Sequence, residues 1–236
     1  MKSLFIGFLL GIFLIGMAGK ANANSIQINP TVDGYAFGTL PNIWISMVSD
    51  SSELLVDNIG GTLEDRAALE FNISSLNPND IVTAVSLDIY IIDLADENIE
   101  LSGYAGDGNL TENDFRMPFF NPVPPNTFLV NHDPELPSAT NPSGLNHILL
   151  GVNGINFIDS LLGSGESYAG ILMRELVMNE ENAFWSMEYS DSRYWPTLNI
   201  EYTTQTPVPE PATMFLLGTG LVGVAGAARR KKKNQA

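Results

Sequence analysis

The segment Asp107-Gly108-Asn109-Leu110-Thr111-Glu112-Asn113-Asp114 gathers hard oxygen donors around a glycine turn. Carboxylates and amides at this density suit calcium, which takes about six to eight oxygens. Aligned on the EF-hand rule, Asp107 would stand at position 5, Gly108 at the position-6 turn and Asp114 at position 12. Positions 1 and 3 would then be Gly103 and Ala105, which offer no side-chain oxygen, and position 12 is ordinarily Glu. The stretch therefore fits the EF-hand pattern poorly. Two readings stay open: a looser calcium loop built from Asp107, Asn109, Glu112 and Asp114, or a solvated acidic turn.

A second group with usable chemistry is Asp191, Arg193, Tyr194 and Trp195. Trp195 precedes Pro196 at the mouth of a strand, where an indole could stack on the C–H face of a sugar. Tyr194 lies beside it, and Asp191 and Arg193 could hydrogen-bond hydroxyls, so these four form the candidate ligand-binding group. An aromatic turn folded onto the edge of the fold is the plainer alternative. Trp44 and Trp185 alternate in phase with strand residues and are expected in the core.

Catalytic patterns are sparse. His132 and His147 are the only two histidines, and neither stands in a metal spacing such as H-E-x-x-H. Gly163-Ser164-Gly165 is too short for a nucleophile elbow and reads as a helix stop. A glycosidase needs only two carboxylates about 5–10 Å apart, and a chain this acidic can neither exclude such a pair nor single one out. No enzymatic activity is expected.

The chain has 236 residues, 11 Lys+Arg, 27 Asp+Glu and no cysteine. That length suits one domain of ordinary size with a real core, or two small ones. Without cysteine there are no disulfides, thiolate metal sites or thiol nucleophiles. Seven of the basic residues, Lys2, Lys20, Arg229, Arg230, Lys231, Lys232 and Lys233, sit at the two ends. Between Asn24 and Thr206 there are four arginines, no lysine and 26 acidic residues, which leaves that segment at −22. Such a charge excludes sequence-independent binding of nucleic acid, and bound ions such as calcium would relieve its self-repulsion.

The elements that must position these residues are mostly strands. Asn42–Val48, Ala67–Ile73, Ile81–Asp93, Ile171–Val177, Ala183–Tyr189 and Thr197–Tyr202 alternate apolar with small or polar residues. In Ile81–Asp93, Val85, Leu87, Ile89 and Ile91 fall on one face and Ser86, Asp88 and Tyr90 on the other. Val152, Ile155, Ile158, Leu161 and Leu162 instead recur at helical spacing, with Gly163-Ser164-Gly165 as the stop. Arg116 to Pro142 carries seven prolines and reads as a long irregular connection. The sum is an all-β fold, an antiparallel jelly-roll-type β-sandwich with one short helix.

The order Arg66-Ala67-Ala68-Leu69-Glu70-Phe71-Asn72-Ile73, Val82 to Tyr90, Gly170-Ile171-Leu172, Trp185 to Asp191 and Pro196 to Tyr202 is similar to the DNRLRE-type domains of microbial surface proteins. Those are related to a family of carbohydrate-binding modules. The resemblance spans about Asp33 to Tyr202 and implies a surface-exposed binding domain. The insert between Tyr104 and Asn153 departs from it.

The two ends read as addresses. Lys2, the apolar run Leu4–Ala18 and the small-x-small step Ala21-Asn22-Ala23 form a signal peptide, residues 1–23, cut after Ala23 by signal peptidase. The β-sandwich follows as residues 24–202, then a Pro-punctuated linker at 203–211 that includes Pro209-Glu210-Pro211. Residues 212–228 are apolar and uncharged. As a transmembrane helix these 17 residues span roughly 25 Å, just short of a hydrocarbon core of about 30 Å. The basic tail, 229–236, is placed in the cytoplasm by the positive-inside rule.

Pro209-Glu210-Pro211, the apolar helix and the basic cluster together resemble the PEP-CTERM sorting signal of Gram-negative bacteria. That resemblance implies processing by an exosortase at Pro209, Glu210 and Pro211 in an organism that makes exopolysaccharide. It also implies transient anchoring in the cytoplasmic membrane, followed by a place at the cell surface or in the extracellular matrix. The expected function is therefore an exported, non-catalytic module that binds polysaccharide or other matrix components, with calcium as the candidate cofactor. The alternatives are a purely structural surface protein and a secreted carbohydrate-active enzyme.

Overall fold

Residues that alternate between two environments form strands, and the central segment is built almost wholly of them. The structure is a computed structural model that describes residues 23–39, 43–59, 63–93, 98–115, 127–132, 144–176 and 181–204. Its strands are β1 (Ala23–Ile28), β2 (Pro30–Thr39), β3 (Ile43–Val48), β4 (Glu53–Ile59), β5 (Leu63–Asn72), β6 (Asp80–Asp93), β7 (Ile99–Gly106), β8 (Thr127–His132), β9 (Leu145–Leu149), β10 (Tyr168–Glu175), β11 (Glu181–Trp185) and β12 (Thr197–Thr204). One helix, α1 (Gly151–Ser164), lies between β9 and β10. Every pairing is antiparallel, in the order β1-β12-β6-β11-β4-β5-β10-β7-β8, with β2 on β5 and β3 and with β9 on β6.

The long β6 carries the sheet round. It pairs with β12 and β9 along most of its length and with β11 near its end, from Ile91 to Asp93. Val85, Leu87, Ile89 and Ile91 all point inward, as their alternation predicts. They meet Leu198 and Ile200 of β12 and, from the other half of the curled sheet, Leu54, Leu69, Phe71, Leu101 and Ile171. The all-β sandwich with one helix read from the sequence is the observed fold.

Helix α1 closes this core with Phe157, Ile158, Leu161 and Leu162. Val152, expected on the buried stripe, is 67% exposed in the first turn, and Phe157 takes the inward place. Gly165, at φ +78°, ends the helix: its amide and that of Glu166 donate to Leu162 and Leu161. This is the left-handed stop that Gly163-Ser164-Gly165 predicts.

The sequence reading needs one correction between Arg116 and Pro142. Within that stretch Thr127–His132 forms β8, hydrogen-bonded to β7. Its residues fall between Pro125 and Pro134, a window free of proline, so an edge strand can form there. Strand β5 has both faces covered. On the far side of the sheet from the main core, Ala36, Ala68, Tyr104, Leu110, Phe115 and Leu172 make a second apolar cluster, and the residues after β7 roof it.

Candidate functional site

The acidic stretch is that roof. Arg66, Ala68 and Glu70 share one face of β5 by period two. Arg66 is fully buried, its Nη1 donating to the Phe115 carbonyl at 2.7 Å and its Nη2 to Glu64 Oε2 at 2.7 Å. Glu70 is likewise buried, and its Oε2 accepts from the amides of Gly108 at 2.6 Å and Asp107 at 3.2 Å. Burial raises the Glu70 pKa, the Gly108 amide opposes this, and the charges of Asp114 and Asp107 add to it. Gly106 leaves the room: a Cβ there would lie 2.6 Å from Glu70 Cδ.

The four calcium candidates are not drawn to one point. Asp107 Oδ1 accepts from the Asn109 amide at 2.9 Å, and Asp114 Oδ2 accepts from the Thr111 amide at 2.6 Å and its hydroxyl at 2.8 Å. Glu112 is exposed. Among the described residues no group of three or more His, Asp or Glu side chains could hold a metal ion.

The second candidate group lies in the turn between β11 and β12. Phe184 takes the core side of β11, so Trp185 emerges on the opposite face and is half-buried. Its expected place in the core is thereby corrected, since Phe184 is the residue in phase. Trp185 stacks on Tyr189 with centroids 3.8 Å apart. Tyr194 meets Tyr189 edge-on at 5.8 Å and Tyr90 of β6 at 5.2 Å. Trp195 is half-buried, and its indole N–H donates to the Tyr189 carbonyl at 2.8 Å, which fixes the turn. Asp191 caps a 3-10 turn at Ser192–Tyr194 and grips Arg193 in a two-point ion pair, with contacts of 3.0 and 2.6 Å. Hydrogen bonds from Arg193 hold the Asp191 carboxyl below its usual range. Thus Trp195, Tyr194, Asp191 and Arg193 do come together, and Trp185, Tyr189 and Tyr90 join them. The Trp44 side chain lies outside the described residues.

Beside the residues that precede Tyr90 lies an open groove, part polar and part apolar, with Ile26, Val85, Leu149 and Ile200 in its lining. Alternation sets Ser86 and Asp88 on the Tyr90 face of β6, beside Asn199 and Glu201 of β12, Ser25 and Gln27 of β1, and His147 of β9. These border an open hollow of about 670 Å³. Gln27 donates to Asn199 at 2.9 Å, Asn199 to Asp88 at 3.0 Å, and Asp88 meets His147 Nδ1 at 2.5 Å. His132 bonds Asn146 at 2.9 Å.

Under the aromatic turn sits Asp33 of β2, 1% exposed. Its Oδ2 accepts from the Met187 amide at 2.8 Å, while Oδ1 is dry and has no donor. Burial, then interaction with Glu188, pushes the Asp33 pKa up to about 8 against the lowering effect of the Met187 amide. Sequence reasoning missed Asp33, Glu70 and Arg66. Only for the last two was there a signal, the shared face with Ala68.

At the ends of the domain, Ala23 opens β1 opposite Thr203 of β12, so the chain enters and leaves at neighbouring points of one sheet edge. Ala21, Pro209, Glu210, Pro211 and the apolar run 212–228 lie outside the described residues. Residues 207–231 match the family described as the PEP-CTERM protein-sorting motif. The chain carries a PEP-CTERM sorting signal. With it come export, exosortase processing and transient membrane anchoring before the surface is reached. Among the described residues no helix is long and apolar enough to cross a membrane. No curated protein matches this PEP-CTERM chain, and no matching family confirms the likeness to DNRLRE-type domains.

Proposed function

We propose that this exosortase-sorted surface protein uses its β-domain as a non-catalytic module that binds exopolysaccharide. The observation that carries the reading is the half-exposed aromatic cluster of Tyr90, Trp185, Tyr189, Tyr194 and Trp195. Aromatic faces and edges suit the C–H patches of sugars, and hydroxyls suit amides and carboxylates already held in a hydrogen-bonded row. The acidic domain repels polyanions, so the preferred strand is neutral. Asp33, the buried carboxyl beneath the aromatic turn, is out of a substrate's reach and is not offered as a catalytic acid.

The full chain should bind neutral polysaccharides on a glycan array. Trp185→Ala should weaken that binding about tenfold, equivalent to roughly 1.4 kcal/mol. Wild-type protein that binds none of them would leave a purely structural surface protein as the reading. Processing is tested separately. Pro209→Ala with Glu210→Ala should accumulate a larger, membrane-associated species in the native host. Unchanged size and location would show that exosortase does not act there.

A further inference from the structure

We propose that β1 is an interaction edge, on which a second copy of this chain pairs its own β1 antiparallel and so continues the sheet. Among the described residues, four strands, β1, β3, β8 and β9, each pair with one neighbour and therefore end the sheet. None of the four contains Asp, Glu, Lys or Arg, whereas each of the other eight strands contains at least one acidic residue. In a segment of net charge −22, the uncharged strands are thus the ones at the edges. A bare row of N–H and C=O groups is a template for another strand, and proteins ordinarily blunt it with charge, a bulge, shortness or a covering element.

Three of the four edges carry such a device. The pairing of β8 with β7 is bulged between Leu101 and Ser102, and Asn153 of α1 donates to the Leu129 carbonyl of β8 at 3.2 Å. The pairing of β3 with β2 shifts between Phe37 and Gly38. Strand β9 is only five residues long and gives way to α1 at Gly151. Strand β1 has none of these: its register runs unbroken from Ala23 opposite Thr203 to Ile28 opposite Leu198. Side chains fix it in place, with Gln27 donating to Asn199 at 2.9 Å, Asn24 to Thr204 at 3.3 Å and Asn29 to Thr197 at 3.2 Å.

Charge names the occupant. Copies of so acidic a domain repel each other, and a neutral edge lets two of them meet without burying like charges. Ser25 and Gln27 are exposed and offer a hydroxyl and an amide, while Ile26 and Ile28 pack on the core but stay half-buried. The same residues of a second copy would extend their cover. Antiparallel self-pairing obeys a two-fold axis, so the contact closes at a dimer. Centred on Ile26, it sets Ser25 opposite Gln27 of the second copy. One strand gives a small contact, so the dimer is weak and its population follows the density of copies at the surface.

Full-length protein in detergent should show a monomer–dimer equilibrium by analytical ultracentrifugation. Ser25→Lys and Ser25→Glu should each weaken it at least about tenfold, because either sign puts a charge into a neutral strand contact. Leu149→Lys changes a 67%-exposed residue of the β9 edge and should leave the dimer unchanged. Unchanged far-UV circular dichroism checks that the variants fold. The chain has no cysteine, so an equimolar mixture of Ser25→Cys and Gln27→Cys proteins should oxidise to a cross-linked dimer faster than either protein alone. The proposal is overturned if wild-type protein stays monomeric at every concentration reached, or if the dimer survives both Ser25 substitutions. It is equally overturned if the mixed cysteines cross-link no faster than either alone, or if Leu149→Lys abolishes the dimer.

Discussion

Arg66→Ala should lower the free energy of unfolding by about 3–5 kcal/mol, the usual cost of stranding one half of a buried ion pair. The guanidinium is fully buried on β5, and Glu64, also buried, is its partner at 2.7 Å. Removing Arg66 leaves the Glu64 charge without that neutraliser in a dry site, and it takes the donor from the Phe115 carbonyl. Phe115 anchors the far end of the acidic roof, so the loss is local as well as global. Proteolysis within residues 107–115 should accelerate in the variant. Arg66→Met with Glu64→Leu removes both charges and should recover most of the stability measured by urea unfolding, but not the protection of the roof. A loss below about 1 kcal/mol for Arg66→Ala would mean that water or a rearranged partner already satisfies Glu64.

The same residues explain what could be read from the sequence. Strand β6 was legible because its apolar residues keep strict alternation through Ile91, and the end of α1 because glycine alone adopts φ +78° without strain. Strands β1, β2, β4, β7, β8 and β9 were not among the six read from alternation, and β1, β8 and β9 show why. They are short, they carry polar residues on the open face, and pairing with a remote neighbour is what makes them strands. The candidate site divides in the same way. Trp195, Tyr194, Asp191 and Arg193 are close in sequence and stay close in space. Asp33 meets a turn 154 residues away and Glu70 one 38 residues away, and acidic residues are ordinarily exposed. Local pattern carries no information about a lid delivered from so far along the chain. The alternation around Trp185 misled for a related reason: both Phe184 and Trp185 are large and apolar, and only the β4 and β6 neighbours decide which turns inward.

The roof over Glu70 rests on a close approach that can be tested by exchanging sizes. Gly170 of β10 stands directly opposite Tyr104 of β7. The Tyr104 ring covers it so closely that a Cβ at 170 would lie 2.3 Å from Cζ and 2.5 Å from both Cε atoms. The ring has nowhere to go: it is 6% exposed and packed with Leu110, Phe115 and Leu172. Glycine inside a strand ordinarily weakens it by roughly 0.5–1 kcal/mol, and here the ring fills the space that a side chain would take. Gly170→Ala should therefore cost about 1–3 kcal/mol through overpacking. Tyr104→Ala should cost about 3–5 kcal/mol through the cavity it opens. Together they should cost clearly less than the two added, because the new methyl enters the space that the ring vacates; a coupling of about 1–3 kcal/mol is expected for residues in direct contact. Urea midpoints of the four proteins measure it. Additivity within about 0.5 kcal/mol would show that the ring and the glycine are independent, and the roof would then have to be held by Arg66 and Glu70 alone.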